Sequence, residues 1–410
     1  MLAGVPVWIR IIICIFGNLA ITCALCKAKV IKEPIHFLKR GVVFMDMKER
    51  LRKRISELTA IIGISGYEWD VGRYIYENLK DDVDSIEWLP NGQLIAIRKG
   101  AKPGPRVIVS AHMDEVGYEV KSISANGFLY FDKIGYATEA CLPARRVLVK
   151  GDKGVVKGVV GVRAGHLLTP EQMAKPQTVG QSYVDVCASS REEVEAMGIH
   201  AGSQIVPDSP CTSMGPDGDF LCTRAADCRS LCAVIVETMK ELKPEDICGE
   251  VCAVFNILEE TTVKAVASCV ARLKPLYGLF LDTIPCGDVP DCDFQKELPV
   301  ALKKGPVVLH SQMLAVGLLR AGSHPKLVQA LRDAAAATKM PHQEWAFNGA
   351  GYATDAVGAV YGGEGMAVVT MALPRRYSHS PSELLHLSDV VATQAIVEEF
   401  LKHPVDLSML

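Results

Sequence analysis

Apolar residues recur at helical spacing from 47 to 62 (Leu51, Ile55, Leu58, Ile61, Ile62), which predicts a helix there. Gly63-Ile-Ser-Gly66 ends it, and a second helix is expected over 68–80. Leu94–Arg98 and the nearly unbroken apolar run Arg106–Ala111 read as strands. From about 116 to 212 the texture changes. YEVKSISANGFLYF alternates around Asn126-Gly127, a hairpin signal, and VLVKGDKGVVKGVVGV reads as short curved strands. From about 216 strands again alternate with helices. VCAVFNIL, LYGLFL and GMAVVTMAL are the strands; CRSLCAVIVETMKEL, TVKAVASCVARL, PKLVQALRDAAAAT and SDVVATQAIVEEFLK are the helices. Such alternation implies an α/β fold whose mostly parallel sheet is covered on both faces. The predicted architecture is therefore a discontinuous α/β domain, 45–115 and 213–410, carrying an inserted β module, 116–212.

Composition agrees with a large globular core. The chain has 410 residues, of which 49% are hydrophobic and 22% charged, so bulk disorder is excluded. Its 44 Lys+Arg against 47 Asp+Glu give a formal charge of −3, which offers no basic footprint for nucleic acid. Fourteen cysteines are scattered, several inside apolar runs (Cys232, Cys252, Cys269), as in a reduced cytoplasmic protein rather than a disulfide scaffold. The pair Cys23/Cys26 has no second pair at zinc-finger spacing. The apolar run 11–25 is short for a membrane span and lacks a cleavage site, so no membrane association is expected. Residues 1–44 read as an upstream extension, with the folded pattern beginning at Met45.

The chemistry lies where the buried runs end. RVIVSA runs into His112-Met-Asp114-Glu115, VCAVFNIL into Glu259-Glu260, LYGLFL into Asp282, and GMAVVTMAL into the segment containing His379. Asp227 precedes the helix at 229–242. In open α/β sheets the carboxyl ends of the strands build the ligand site, so these groups are expected around one cleft. A lone strand-end Asp is usually a turn or cap residue, and most of the ten histidines read as structural. The joint placement is what points to function. Two histidines and three carboxylates suit two divalent ions sharing one carboxylate, with zinc, cobalt or manganese as candidates. In Glu259-Glu260 one carboxylate can bind metal while its neighbour takes a proton. His112 and Asp114, two apart, point to the same side of a strand.

HMDEVG (112–117), DCR (227–229), LEE (258–260), LDT (281–283) and RRYSHSP (375–381) occur in the order seen in the tetrahedral metallo-aminopeptidases, a family that includes glutamyl aminopeptidases and proteins labelled "endoglucanase M". The resemblance spans about 47–403, is nearest to bacterial aminopeptidases encoded near sugar-transport genes, and includes ISGYE (64–68), HLLTPEQMAK (166–175) and GIHAGSQIV (198–206). It implies a zinc-peptidase-like domain with an inserted β-barrel or PDZ-like domain used in dimerisation. It also implies dimers assembled into a homododecamer, and hydrolysis of the N-terminal residue of peptides. Carried over residue by residue, Asp227 is the bridging carboxylate. His112 and Asp282 complete one metal site, and Glu260 and His379 the other. Glu259 is the general base, and Asp114 orients His112. The sequence departs from the family at Cys228, where Asn is common, at Thr261-Thr262, where Val-Gly is usual, and at Gly351-Tyr-Ala-Thr-Asp355. None of these removes an expected ligand. Competing readings are a dinuclear amidase or deacylase on small molecules, and an inactive scaffold of the same fold. Sugar-bond cleavage would normally use paired carboxylates alone.

Overall fold

The computed structural model describes residues 35–408 apart from 176, 315–318 and 349–350, with side chains from Met47 onward. The apolar run 11–25 and the Cys23/Cys26 pair lie outside the described residues. Among those described, no helix is long and apolar enough to cross a membrane. The chain divides into two units, 1–44 and 45–410; the second is described below.

The strands in chain order begin with β1 (Ser85–Trp88), β2 (Leu94–Lys99) and β3 (Lys102–His112). There follow β4 (Gly117–Ile123), β5 (Phe128–Ile134), β6 (Arg146–Gly151), β7 (Gly154–Val160), β8 (Val184–Asp185) and β9 (Gln204–Pro207). Then come β10 (Thr212–Met214), β11 (Phe220–Thr223), β12 (Cys248–Asn256), β13 (Tyr277–Pro285), β14 (Val307–Leu314) and β15 (Leu319–Gly322). The last are β16 (Gln343–Asn348), β17 (Ala367–Arg375) and β18 (Glu383–His386).

Nine of these form one sheet in the order β1-β2-β12-β3-β13-β17-β14-β15, with β16 also on β14. The central pairings, β12 with β3, β3 with β13 and β13 with β17, are parallel. The outer pairings β1–β2, β2–β12, β17–β14 and β14–β15 are antiparallel. β16 also joins β14 in parallel, so the centre of the sheet is parallel as expected and antiparallel strands added around it make the sheet as a whole mixed. β1 and β2 are joined by a tight turn in which the Leu89 N–H donates to the Gln93 carbonyl at 2.8 Å, and so short a link forces antiparallel pairing. β14 gives a weak strand signal because the polar Ser311 and Gln312 break its apolar run.

Burial follows the expected periodicities. The helix Ile35–Ala60 buries Leu51, Ile55 and Leu58, one apolar stripe. The helix Ala226–Glu241 has buried residues from Ala226 to Met239 and packs on β3 and β13. The other face of the sheet is covered by helices Ala267–Leu273 and Asp355–Val360, whose Val270, Leu273 and Val357 join Ile108, Val254 and Phe280. The expected helix from 262 to 273 is interrupted at Val263, whose φ is 49°.

The strands from β4 to β9 close a barrel in the order β4-β5-β8-β7-β6-β9. Alternation fills it: in β6, Val147 and Val149 point inward beside Leu129, Phe131 and Ile205. Gly117, where β4 leaves the site, cannot carry a side chain, because a Cβ there would lie 2.4 Å from Ile64 Cγ2.

Candidate metal centre

The parallel strands of the sheet end together, and their carboxyl ends carry the predicted groups. His112 is the last residue of β3, Asp282 lies in β13, Glu259 and Glu260 open the short helix after β12, and His379 follows β17. Asp227 stands in the first turn of helix Ala226–Glu241, and its peptide bond to Cys228 is cis. Ala225, Leu258 and His379 all take left-handed φ, from 55° to 58°. Such conformations are costly for residues with a Cβ and cluster where side chains must be aimed.

Asp227 is the hub. Its Oδ1 lies 3.2 Å from His112 Nε2, and its Oδ2 lies 3.3 Å from His379 Nε2. Glu260 Oε2 is also 3.3 Å from His379 Nε2. On the other side, Asp282 Oδ1 and Glu259 Oε2 are each 3.8 Å from His112 Nε2. Ligand-type atoms of His112, Asp227, Cys228 and Asp282 lie within 4.8 Å of one another, as do those of Asp227, Glu260 and His379. All seven sequence-predicted residues are brought together: Asp114 Oδ1 is 3.3 Å from His112 Nδ1, and its two oxygens accept the Glu259 and Glu260 N–H groups at 3.1 Å. The Asp114 backbone carbonyl also lies 3.2 Å from His112 Nδ1.

So many acids in one dry place cannot all ionise without a cation. Burial, then the neighbouring Asp282, pushes the Glu259 carboxyl well above its usual range. Burial raises Glu260 to about 8 and Asp282 to about 6. Asp227 goes the opposite way: burial opposes its charge, but Arg375, His112 and His379 outweigh that and hold it well below the carboxylate range. Burial also opposes the charged form of His379, yet Glu260 and Asp227 raise it to about 9. Glu259 Oε1 is buried without a hydrogen-bond partner.

Several residues that the sequence reading left unassigned complete the surroundings. Arg375, at the end of β17 and buried, donates to Asp227 and Glu383, and its Nε donates to Thr283 Oγ1 at 2.6 Å. Its signal was an arginine closing an apolar strand. Asp355 accepts from Asn256 Nδ2 at 2.7 Å, and burial raises it to about 8. Glu68 accepts the Gly66 and Leu258 N–H groups at 2.8 and 3.0 Å, which ties the ISGYE loop to the entry of the Glu259 turn. Glu115 is paired to Arg224 and, at 3.0 Å, to Arg229. Arg229 also donates to the carbonyls of Met113 and Gly63, so the arginine of DCR is structural.

Three of the histidines read as structural have such roles: His324 and His386 accept the Lys326 and Ser388 N–H groups at helix starts, and His310 pairs with Glu344 at 2.7 Å. A further group, Asp217, Asp219 and His386, lies apart, but Asp219 is already neutralised by Lys48 at 2.6 Å and Arg52 at 3.1 Å. A cleft of about 820 Å³ opens over Asp227, Glu259, Glu260, Asp282 and His379, walled by Leu314, Leu319, Phe347 and Tyr352.

The sequence and the fold are similar to those of known aminopeptidases. Residues 92–396 match the model of the M42 glutamyl aminopeptidase family. The chain is 32% identical over 354 residues to the "Putative aminopeptidase FrvX" of Escherichia coli (strain K12), covering 85% of this chain and 94% of that one. Among solved structures it resembles aminopeptidase APDkam598 from the archaeon Desulfurococcus kamchatkensis, with TM-score 0.81 and 28% identity over 88% of this chain and 96% of that one. It also resembles the TET1 peptidase of Pyrococcus horikoshii, described as able to assemble into a tetrahedron or a large octahedral shell. There the TM-score is 0.74, with 25% identity over 86% of this chain and 99% of that one.

Proposed function

The chain belongs to the M42 glutamyl aminopeptidase family, and on that premise we propose that it is a dinuclear metal-dependent aminopeptidase that releases the N-terminal residue of peptides. The observation that carries the reading is Asp227, with one oxygen turned to His112 and the other to His379. His112, Asp227 and Asp282 would hold one ion, and Asp227, Glu260 and His379 the other. The donor set fits: mixed imidazole and carboxylate suits zinc, cobalt or manganese, and the unpartnered Glu259 oxygen sits among the carboxylates. When bound, a pair of such ions supplies Lewis-acid polarisation of a carbonyl and an acidified water.

The residues of the chain do the rest. Glu259 takes the proton of the attacking water and passes it to the leaving amine. Its burial suits that task, because it raises the carboxyl's affinity for a proton. Asp114 orients His112 and, through its bonds to the two backbone N–H groups, fixes the turn that presents Glu259 and Glu260. Arg375 donates to Asp227 and keeps it ionised. The apolar wall of Leu314, Leu319, Phe347 and Tyr352 excludes water from one side of the cleft.

Self-association into a dodecamer built from dimers belongs to the same proposal, with the barrel as the dimer element. Exposed Tyr130, Val155, Val159 and Val162 on the barrel support it. Free, buried Cys232, Cys252 and Cys269 support a reducing, cytoplasmic setting. The role of Glu259 is tested with Glu259→Gln. The variant should bind both ions and lose turnover by about 10²–10⁴-fold; full activity would remove the assignment.

A further inference from the structure

Cys228 is not among the ligands of the proposed centre, yet its position is that of one. It follows Asp227 directly and is fully buried. Its Sγ lies within 4.8 Å of the ligand atoms of His112, Asp227 and Asp282. One ion with bonds of about 2.0–2.3 Å keeps any two of its ligands within about 4.6 Å, so these four atoms need only small adjustments to share it. The other group, Asp227, Glu260 and His379, contains no sulfur. The nearest alternative use of the thiol is one long hydrogen bond to the Leu281 carbonyl at 3.5 Å. Cys232, one turn further along the helix, gives the contrast: its Sγ donates to the His112 carbonyl at 3.0 Å and is absent from the ligand group.

We propose that Cys228 gives a sulfur ligand to the ion held by His112, Asp227 and Asp282, making that position nitrogen–oxygen–sulfur while its neighbour is nitrogen–oxygen only. The inference rests on the dinuclear reading above. On binding, the S–H bond breaks, its proton leaves to solvent, and a metal–sulfur bond forms; a divalent cation deprotonates a coordinating thiol outright. Thiolate selects zinc, cobalt and cadmium over manganese, so the two positions would take up different ions from a mixture.

The full chain, stripped with chelator and reloaded with cobalt(II), tests this by absorption. A thiolate-to-cobalt charge-transfer band in the near ultraviolet is expected in the parent, lost in Cys228→Ser and kept in Cys232→Ser. The preference for cadmium over manganese should fall about tenfold or more in Cys228→Ser. If the Cys228→Ser chain does not fold, X-ray absorption of the cobalt-loaded parent decides, by the presence of a sulfur scatterer at about 2.3 Å. Two bound cobalt ions with no band and no sulfur scatterer overturn the thiol ligand and leave the dinuclear reading standing. Loss of the band in Cys232→Ser but not in Cys228→Ser overturns it too. Failure to bind cobalt at all overturns the dinuclear reading itself.

Discussion

Asp114 lies with its Oδ1 3.3 Å from His112 Nδ1 while its two oxygens accept the backbone N–H groups of Glu259 and Glu260 at 3.1 Å. One buried carboxylate therefore sets both an imidazole and the turn beside it. Burial works against its charge, but the His112 hydrogen bond and charge prevail and hold it below the usual carboxylate range. Asp114→Asn keeps one acceptor and loses the charge. It should weaken metal binding by about 10–100-fold with the fold retained. A metal titration monitored by fluorescence checks this, and unchanged affinity would show that Asp114 only braces the turn.

In the proposed centre the two metal positions would share Asp227 and be otherwise separate. Glu260→Ala should leave the chain with one ion, and Asp282→Ala should likewise leave one, whereas Asp227→Ala should leave none. Metal analysis of purified variants counts them. Equal loss in all three would mean that the two positions fill as a unit.

Binding the ions must displace protons. Glu260 is raised to about 8, Asp282 to about 6 and His379 to about 9, so near neutral pH some of these groups hold a proton that a cation has to expel. Metal affinity should therefore rise as pH goes from 6 to 8. Calorimetry in buffers of different ionisation enthalpy should count at least one proton released per chain. PH-independent affinity would contradict the donor set.

How much of this was legible follows from where the information sits. His112, Glu259, Glu260, Asp282 and His379 each close or follow a buried apolar run, and the topology of a parallel sheet gathers such ends. Asp227 was read from its place before a helix. The Asp227–Arg375 pair joins residues 148 positions apart, and nothing local in the sequence announces it. The same holds for Asp355 on Asn256 and for Glu115 between Arg224 and Arg229. The alternation around Asn126-Gly127 was plain, and the hairpin β4–β5 has Gly127 at φ 84°. The outer strands were not: whether β14 runs against β17 depends on sheet edges, not on its own residues.

Away from the site, Glu344 on β16 is held by Arg332 at 2.7 Å and by His310. The Arg332 hydrogen bond outweighs partial burial and lowers its carboxyl to about 2. A depressed carboxylate contributes stability above its unfolded pKa, and that contribution fades as pH falls from about 4.5 toward 2. Solvent screening of this exposed pair keeps its contribution small. Glu344→Gln should lower Tm by about 1–2 °C at pH 7 and by less at pH 3. A larger loss at pH 3 would give the wrong sign.

On the proposed reading the chain, with two ions bound around Asp227, would hydrolyse bonds next to a free N-terminus. The direct measurement takes the full chain stripped with chelator and reloaded with zinc, cobalt or manganese, and follows aminoacyl-p-nitroanilides beside their N-acetylated forms. Hydrolysis of the free-amine substrates alone, returning with metal and reaching a plateau at two ions per chain, is the predicted result. Hydrolysis that survives the chelator, or equal cleavage of the acetylated substrates, would contradict it.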